Sequence, residues 1–240
     1  MILLVREDRE FLCQPGDEVH TDLGVVTVPD DVEPGDVVES HLGEAFSVRA
    51  LRGPDLFNHL DRTGAPMMPK DIGLVVGHTG AASGDRVLDA GTGTGVLAAY
   101  LGRLGAEVLT FEVSEEFAEV ARENMALADV ADRVTVRTGD LTEELDAIDE
   151  RFDLLTLDTA DAPEVVAQAE DLLVSGGFVA VYSPFVEAAR ESERVARDEG
   201  LQQVRTLETI QRRMDFDDRG SRPSTAGVGH TGYLTFARRL

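Results

Sequence analysis

From Asp71 onward, segments with helical periodicity alternate with short apolar runs of the kind that form buried strands. Strands are predicted over residues 86–89, 107–112, 134–137, 152–157 and 178–182, and helices over 72–79, 96–104, 114–127, 164–173 and 186–198. Such alternation requires parallel strands joined by right-handed crossovers. Two last strand-like runs, 204–210 and 232–237, have no clear helix between them and predict an antiparallel edge. The sequence therefore predicts an α/β fold whose sheet is mostly parallel, with an antiparallel final strand.

The first 60 residues have a different pattern of short strands separated by turn residues. Strands are predicted over residues 2–5, 11–13, 24–28, 36–39 and 45–50, with turns at the Pro-Gly and Pro-Asp pairs that begin at Pro15, Pro29 and Pro34. Residues 53–70 contain three prolines and are interpreted as a linker. We therefore expect a small β-rich module over residues 1–60 and an α/β domain over residues 61–240.

The charge balance is strongly acidic. The formal net charge is −24, from 46 acidic and 22 basic residues, and Lys70 is the only lysine. The periodic apolar segments argue against disorder, so we interpret the composition as the carboxylate-rich surface of a halophile's protein, soluble in molar salt. Residues 201–240 differ, with seven arginines against four acids. This basic tail indicates an anionic partner, although ordinary surface arginines explain it equally well.

Several classes of protein are disfavoured by what the sequence lacks. A single cysteine, Cys13, excludes an intrachain disulfide and a cysteine zinc cluster. No apolar run approaches the ~20 residues of a membrane helix, and Arg6 to Glu10 interrupts the apolar N-terminus before a signal peptide could form. The histidines at 20, 41, 59 and 78 lack metal-site spacing. We expect a cytoplasmic protein without metal or membrane partner.

A glycine-rich loop follows the first strand of the α/β domain. Gly91, Gly93 and Gly95 form a G-x-G-x-G pattern, with Asp89 two residues before it. A dinucleotide fingerprint, G-x-G-x-x-G/A, would need a small residue at Val96. The loop therefore favours a nucleotide-type cofactor without phosphates.

Acidic residues at the following strand ends support a cofactor site. Glu112 closes the second strand, where a carboxylate can accept hydrogen bonds from both ribose hydroxyls. Asp140 is expected to close the third strand beside Leu141, where it would meet the adenine. The alternative is that both are ordinary solvated acids. The predicted cofactor-binding residues are Asp89, Gly91, Thr92, Gly93, Thr94, Gly95, Val96, Glu112, Val113, Asp140, Leu141 and Asp158.

Residues 89–158 resemble the class I S-adenosylmethionine-dependent methyltransferases. A narrower resemblance lies in the flanks. Residues 62–71, RTGAPMMPKD, resemble the R-x-T-Q-x-x-Y-P-K-D stretch of the TrmI-type tRNA (adenine-N1)-methyltransferases, and Arg222-Pro223 with residues 229–237, GHTGYLTFA, resemble that family's closing strand. The resemblance implies a homotetramer that uses S-adenosyl-L-methionine to methylate N1 of adenine 58, and in archaeal members also 57, in the tRNA T-loop.

The resemblance assigns the catalytic carboxylate to Asp158, with Asp161 as the alternative. A carboxylate there would accept from adenine N6–H, hold N1 toward the methyl and stabilise the developing positive charge, on a base that has left its stack. The substrate-binding residues are expected to be Met68, Arg219, Arg222 and His230, although His230 could equally pair within the closing hairpin. The family's Pro-x-Pro-Trp after the aspartate is replaced here, and Met68 stands for its tyrosine.

Two other functions stay open at this point. One is a methyltransferase of the same fold acting on a protein or small molecule, and the other is a non-catalytic RNA-binding subunit. The N-terminal β-module and the His-Thr-x-Tyr ending disfavour the first. The intact acids at the strand ends disfavour the second, because an RNA-binding module does not need them.

Removing salt is predicted to unfold or aggregate the protein. At ~1 M salt the Debye length is only ~3 Å, so the surface carboxylates barely repel one another, whereas in dilute buffer they do. Circular dichroism melting curves in molar KCl and in dilute buffer measure the effect. An unchanged Tm and full activity in dilute buffer would contradict the halophile interpretation.

Overall fold

A computed structural model describes residues 1–227 and 229–240. The N-terminal region contains the strands β1 (Ile2–Arg6), β2 (Arg9–Cys13), β3 (Glu18–Thr21), β4 (Gly24–Thr27), β5 (Val37–Glu39) and β6 (Ala45–Ala50). Four of them form an antiparallel sheet in the order β2-β1-β6-β5, and β3 pairs with β4 in a separate hairpin. Their inward side chains, including Leu4, Val26 and Phe46, form one apolar cluster. The predicted β-rich module is confirmed, and β3 is an additional strand that was not predicted.

The predicted linker over residues 53–70 is wrong, because it begins with a helix, α1 (Gly53–His59). Pro54 lies in the first turn, where a missing N–H costs nothing and a fixed φ favours helix initiation. Leu56 is fully buried and belongs to the same apolar cluster as Leu101 of the α/β region. The helix therefore packs against the large domain. A domain boundary at residue 60 stays a prediction.

The rest of the chain forms the predicted α/β architecture. Its elements are α2 (Pro69–Thr79), β7 (Arg86–Ala90), α3 (Val96–Leu104), β8 (Glu107–Glu112), α4 (Glu115–Leu127), β9 (Val134–Thr138), α5 (Leu141–Glu144), β10 (Phe152–Leu157), α6 (Ala162–Ala167), α7 (Ala169–Leu172), β11 (Leu173–Ser183), α8 (Val186–Asp198), β12 (Gln202–Glu208), β13 (Met214–Asp217), β14 (Gly220–Pro223) and β15 (Tyr233–Arg238). A single 3₁₀ turn, Leu145–Ala147, follows α5. The seven-stranded sheet has the order β12-β15-β11-β10-β7-β8-β9.

The strand directions confirm the predicted fold class. Strands β7 to β11 pair in parallel, and β15 lies antiparallel between β11 and β12. Neighbouring residues of each central strand point to opposite faces, so Val87 and Leu154 enter one apolar cluster and Leu88 and Leu155 the other. A parallel sheet buried on both faces explains why its strands read as continuous apolar runs.

Two elements of the α/β region differ from the sequence predictions. The single helix expected over residues 164–173 is split into α6 and α7, which meet at Gln168. Strands β13 and β14 pair into an exposed two-stranded ribbon between β12 and β15, where no element was predicted. Its strands are four residues each, and only β13, with the sequence MDFD, alternates apolar and charged residues. This pattern is too short to distinguish from a loop.

The order of strands fixes where a ligand can bind. The chain runs outward from β7 to β8 and β9, then returns to place β10 on the other side of β7. In doubly wound sheets ligands bind beyond the carboxyl ends of the strands at such a reversal. The loop after β7 and the residue after β10 therefore meet at one crevice.

No helix within residues 1–227 and 229–240 is long and apolar enough to cross a membrane.

Candidate active site

The tips of β7 and β10 are in direct contact. The Asp158 amide donates to the Ala90 carbonyl at 2.8 Å. Gly91 follows with φ +86°, and a Cβ on it would lie 2.1 Å from the Asp158 carbonyl oxygen. No side chain could occupy that position without separating the two strand ends. Gly91 is therefore required by contact between two parts of the chain rather than by a ligand.

The other two glycines of the loop have different environments. A Cβ on Gly95 would lie 2.5 Å from Met125 Cε, so this glycine allows the start of α3 to pack on α4. A Cβ on Gly93 would meet nothing nearer than 4.0 Å, and its backbone lines the crevice. Of the three, Gly93 is the one that leaves room for a ligand to approach the backbone.

Asp89, on β7, is connected to the glycine loop by hydrogen bonds through buried threonines. It is 4% exposed, and its carboxylate accepts from the hydroxyls of Thr110 on β8, at 2.5 Å, and of Thr156 on β10. Thr92 in the loop lies 2.5 Å from Thr110, Oγ1 to Oγ1, so it donates to that hydroxyl. Burial, opposed by these two hydrogen bonds, raises the pKa of Asp89. Its carboxylate joins three strands and the loop into one hydrogen-bonded unit.

Glu112 ends β8, as predicted, and its carboxylate also organises the loop. Oε2 accepts from the Gly93 amide at 2.9 Å and Oε1 from the Ser114 amide at 3.1 Å. An ionised carboxylate has about four acceptor positions, so each oxygen can accept one further hydrogen bond. Glu112 is thus able to hold two hydroxyl groups of a ligand while fixed by two backbone amides.

Asp140 does not close β9, as expected from the sequence, because that strand ends at Thr138. Asp140 is instead the N-cap of α5, and its Oδ1 accepts from the Thr142 amide at 2.9 Å and hydroxyl at 2.8 Å. Asp and Thr in this spacing favour a helix start over strand continuation. Oδ2 accepts no hydrogen bond from the described residues, so this oxygen is available toward the crevice.

Asp158 lies at the mouth of the crevice. Burial by the surrounding walls and the charge of Asp89 raise the pKa of Asp158 to about 7. The residue is exposed at the open crevice, so a ligand can reach its carboxylate. Asp158 is therefore a carboxylate whose charge depends on pH near neutrality.

The crevice consists of two adjoining cavities that share Gly91, Gly93 and Asp158, with about 470 and 830 Å³ of space. Every predicted cofactor-binding residue lines one of the two cavities. Five acids do so: Asp89, Glu112, Asp140, Asp158 and Asp161. Within the part of the chain that the structure describes, neither cavity is lined by a lysine, arginine or histidine.

One wall of the crevice was not predicted from the sequence. Residues 63–67 line the first cavity, and the Thr63 amide donates to Thr94 Oγ1 at 3.3 Å. Asn124 on α4 holds this segment, because its side-chain amide donates to the carbonyls of Asp61 at 2.8 Å and Thr94 at 2.9 Å. Asn124 is fully buried on α4, which the sequence alone does not reveal.

The predicted substrate-binding residues lie outside both cavities. Met68 is the N-cap of α2, one residue beyond the lining residue Met67. Arg219 and Arg222 belong to the exposed ribbon, where Arg219 pairs with Asp217 at 3.1 Å. Their contact with a substrate stays a prediction.

His230 is exposed and pairs within the closing sheet. Its Nδ1 lies 2.7 Å from Glu208 Oε1 and its Nε2 3.0 Å from the Pro184 carbonyl. Both partners are acceptors, so both ring nitrogens must donate, which only the imidazolium form can do. The hydrogen bond to Pro184, followed by that to Glu208, raises the pKa of His230. Of the two alternatives from the sequence, the structure shows the pairing.

No group of three or more His, Cys, Asp or Glu side chains able to hold a metal ion is found within residues 1–227 and 229–240.

Comparison with known proteins gives consistent matches. A family model described as tRNA methyltransferase complex GCD14 subunit matches residues 54–220. The tRNA (adenine(57)-N1/adenine(58)-N1)-methyltransferase TrmI of Methanocaldococcus jannaschii is 32% identical over 263 residues, which cover 97% of this chain and 92% of that relative.

Two solved structures match over the whole chain. A SAM-dependent O-methyltransferase from Thermotoga maritima has a TM-score of 0.83 at 27% identity, covering 100% of this chain and 92% of that one. The tRNA (m1A58) methyltransferase TrmI from Aquifex aeolicus has a TM-score of 0.76 at 22% identity, covering 100% and 96%. The second likeness concerns the fold alone.

Gly91→Ala is predicted to abolish ligand binding in the crevice and to destabilise the fold, because its Cβ would clash with the Asp158 backbone. Gly84→Ala is the matched control, since Gly84 has a similar φ of +92° but nothing within 4 Å of a Cβ. Backbone strain alone costs about 1–2 kcal/mol, so Gly84→Ala should lose no more than that. Melting curves and S-adenosylhomocysteine calorimetry measure both effects, and equal losses in the two variants would contradict the contact argument.

Proposed function

This chain belongs to the GCD14/TrmI family of tRNA methyltransferases, and we propose that it transfers a methyl group from S-adenosyl-L-methionine to N1 of adenine in the tRNA T-loop. Position 58 is the proposed target, with position 57 as a second one, as in the name of the Methanocaldococcus relative. The observation that carries the proposal is a pair of acids, Glu112 and Asp158, on opposite sides of the same glycine loop.

The charge of the crevice supports this cofactor. Five carboxylates and no basic side chain among the described lining residues disfavour a pyrophosphate and favour a cation. S-adenosylmethionine, when bound, supplies an electrophilic methyl group on a positively charged sulfur. Glu112 would hold its ribose hydroxyls and Asp140 its adenine. Gly93 leaves the backbone open to the remainder of the molecule.

Asp158 is the proposed catalytic residue. As an anion it can accept a hydrogen bond from N6–H of the target adenine, which orients N1 and stabilises the positive charge that methylation creates. Its contact with the cofactor loop through Ala90 fixes this anchor relative to the cofactor. Asp161 lines the second cavity as well and is the alternative. Asp158 directly follows β10, and Asp161 is the N-cap of α6.

The proposed partner is tRNA, and the reaction is placed in the cytoplasm. A cation at His230 lies on the carboxyl side of β11, beyond Pro184, and Arg219 and Arg222 lie on the ribbon. The two arginines are the proposed phosphate contacts. A phosphate would compete with Glu208 for His230 and with Asp217 for Arg219, because these carboxylates lie 2.7 and 3.1 Å away. At molar salt, screening confines the repulsion from the other carboxylates to a few ångströms, about 3 Å.

We also propose that the protein is a homo-oligomer, a tetramer by family resemblance. The β13–β14 ribbon supports self-association. Met214, Phe216 and their partners Pro223 and Ser221 share one face, and Met214 is 49% and Phe216 77% exposed. A two-stranded ribbon alone is marginally stable in water, so its apolar face is expected to be covered by a second copy of the chain.

The direct test is incubation with labelled S-adenosylmethionine and unmodified tRNA in high salt, followed by nucleoside analysis. Label in 1-methyladenosine is the expected result. Label on an oxygen atom, as the name of the Thermotoga O-methyltransferase would suggest, or label in protein alone, would overturn the proposal. A tRNA lacking adenine 58 separates the two positions.

Asp158→Asn is predicted to lower kcat by about 10²–10³-fold, the loss typical of removing one group that stabilises developing charge, while cofactor affinity stays near that of the wild type.

In the wild type, kcat/KM should fall as pH drops through about 7, because the protonated Asp158 carboxyl no longer has its charge. The variant should lose this pH dependence. An unchanged rate in Asp158→Asn, with loss in Asp161→Asn, would move the role to Asp161.

Phe216→Asp is predicted to reduce the oligomer to smaller species, because a carboxylate cannot be buried on an apolar contact without large cost. Light scattering after size-exclusion chromatography measures the mass. Leu42→Asp is the control, since Leu42 is 65% exposed on the N-terminal module. A monomeric wild type, or equal dissociation of both variants, would refute the assignment of the ribbon.

A further inference from the structure

A buried ion pair joins two segments that lie 160 residues apart. Lys70 and Asp71, at the start of α2, have side chains 6% and 2% exposed, and Lys70 Nζ lies 2.7 Å from Asp71 Oδ1. Lys70 Nζ also donates to Thr231 Oγ1 at 2.7 Å, and Thr231 Oγ1 donates to Asp71 Oδ2 at 3.0 Å. The three side chains therefore form a closed hydrogen-bonded triangle, called here the Lys70–Asp71–Thr231 cluster.

The cluster continues to the tip of β11. The Tyr182 hydroxyl donates to the Thr231 carbonyl at 2.6 Å. A Cβ on Gly232 would lie 2.5 Å from the Tyr182 ring, so the backbone after Thr231 lies directly against that ring. Burial, then the charges of Asp71 and Asp158, raise the pKa of Tyr182. Tyr182 is thus held from one side by the cluster.

The two ends of the cluster adjoin two different segments that line the crevice. On one side, α2 begins directly after residues 63–67, which line the first cavity. On the other, Tyr182 follows Val181, which pairs with Leu157 immediately before Asp158. The cluster therefore connects the wall formed by residues 63–67 to the strand tip beside the catalytic carboxylate, although none of its three residues lines either cavity.

The chemistry of the cluster favours a geometric role. A buried ion pair contributes little net stability, because the cost of desolvating both charges offsets their attraction. Apolar side chains of similar volume in the same place often give a protein that is equally stable or more stable. Lys70 is also the single lysine of the chain, whose other permanently charged cations are arginines. Three donors on one ammonium can hold Asp71 and Thr231 together in a fixed arrangement, which an apolar contact cannot do.

We propose that Lys70, Asp71 and Thr231 are positioning residues for methyl transfer, which hold the wall of residues 63–67 at a fixed distance from Asp158. The inference rests on the proposed function of the crevice. Displacing one wall would leave the binding groups Glu112 and Asp140 intact, because they lie on β8 and at the start of α5. It would misplace the target base relative to the methyl donor, and such misplacement lowers kcat rather than cofactor affinity.

The experiment compares Thr231→Val, Thr231→Ser and Thr235→Val in high salt. Thr231→Val keeps the shape but removes the hydroxyl, and Thr231→Ser restores it. Thr235 is the control because it is 2% exposed on the adjoining strand β15 and bonds Thr206 at 2.9 Å, Oγ1 to Oγ1. We expect Thr231→Val to lower kcat on tRNA by about tenfold to a hundredfold with unchanged affinity for S-adenosylhomocysteine, Thr231→Ser to recover most of it, and Thr235→Val to keep the wild-type rate.

A second readout does not depend on activity. The chain has three tyrosines and no tryptophan, so ¹³C-labelled tyrosine rings give few NMR signals. The Tyr182 signal should shift in Thr231→Val and stay in place in Thr231→Ser and Thr235→Val. A Thr231→Val variant with wild-type kcat, or with an unmoved Tyr182 signal, would overturn the inference. If the wild type does not methylate tRNA, the proposed function fails, and the NMR signal still tests the cluster.

Discussion

The contact between the tips of β7 and β10 determines most of the site. One hydrogen bond, from the Asp158 amide to the Ala90 carbonyl, and one missing side chain, at Gly91, bring the two strand ends together. Because the cofactor loop starts at Gly91 and the proposed catalytic carboxylate belongs to Asp158, this contact sets the distance between them. The parallel sheet behind it, buried on both faces, makes that distance rigid.

Electrostatics gives the crevice its chemical character. Asp89 is buried and bound by two threonine hydroxyls, and its charge contributes to the raised pKa of Asp158. The lining is acidic throughout, which suits a cationic methyl donor and a base that becomes cationic on methylation. The surface of the chain is also acidic and therefore repels a polyanion such as RNA. Recognition of an RNA would then depend on local cations and on salt that screens the carboxylates.

Periodicity and local motifs predicted the parts of the fold that local sequence controls. The helix Val96–Leu104 and the strand Glu107–Glu112 have the bounds expected from apolar spacing. Ser114 caps α4 as predicted, since a serine before an amphipathic run is a local signal. Every predicted cofactor-binding residue lines the crevice, because loops and strand ends of this fold converge by topology.

The features that sequence reasoning could not predict depend on contacts between distant segments. The glycine pattern predicts that Gly91 serves a ligand, yet the chain itself requires this glycine, and only the partner strand reveals it. Asn124 holds the wall formed by residues 63–67 from 63 residues away in sequence, with no pattern to indicate the pairing. Pro54, which counted toward a linker, lies in the first turn of α1, because a proline's effect depends on its place in the helix.

The central claim is that Asp158 is a carboxylate made weakly basic by the crevice and by Asp89. Carbon-13 NMR titration of the Asp158 carboxyl, assigned by comparison with Asp158→Asn, measures it directly. The account predicts a midpoint near 7 that Asp89→Asn lowers. A midpoint near the ordinary value of about 3.9, or one indifferent to Asp89, would contradict it.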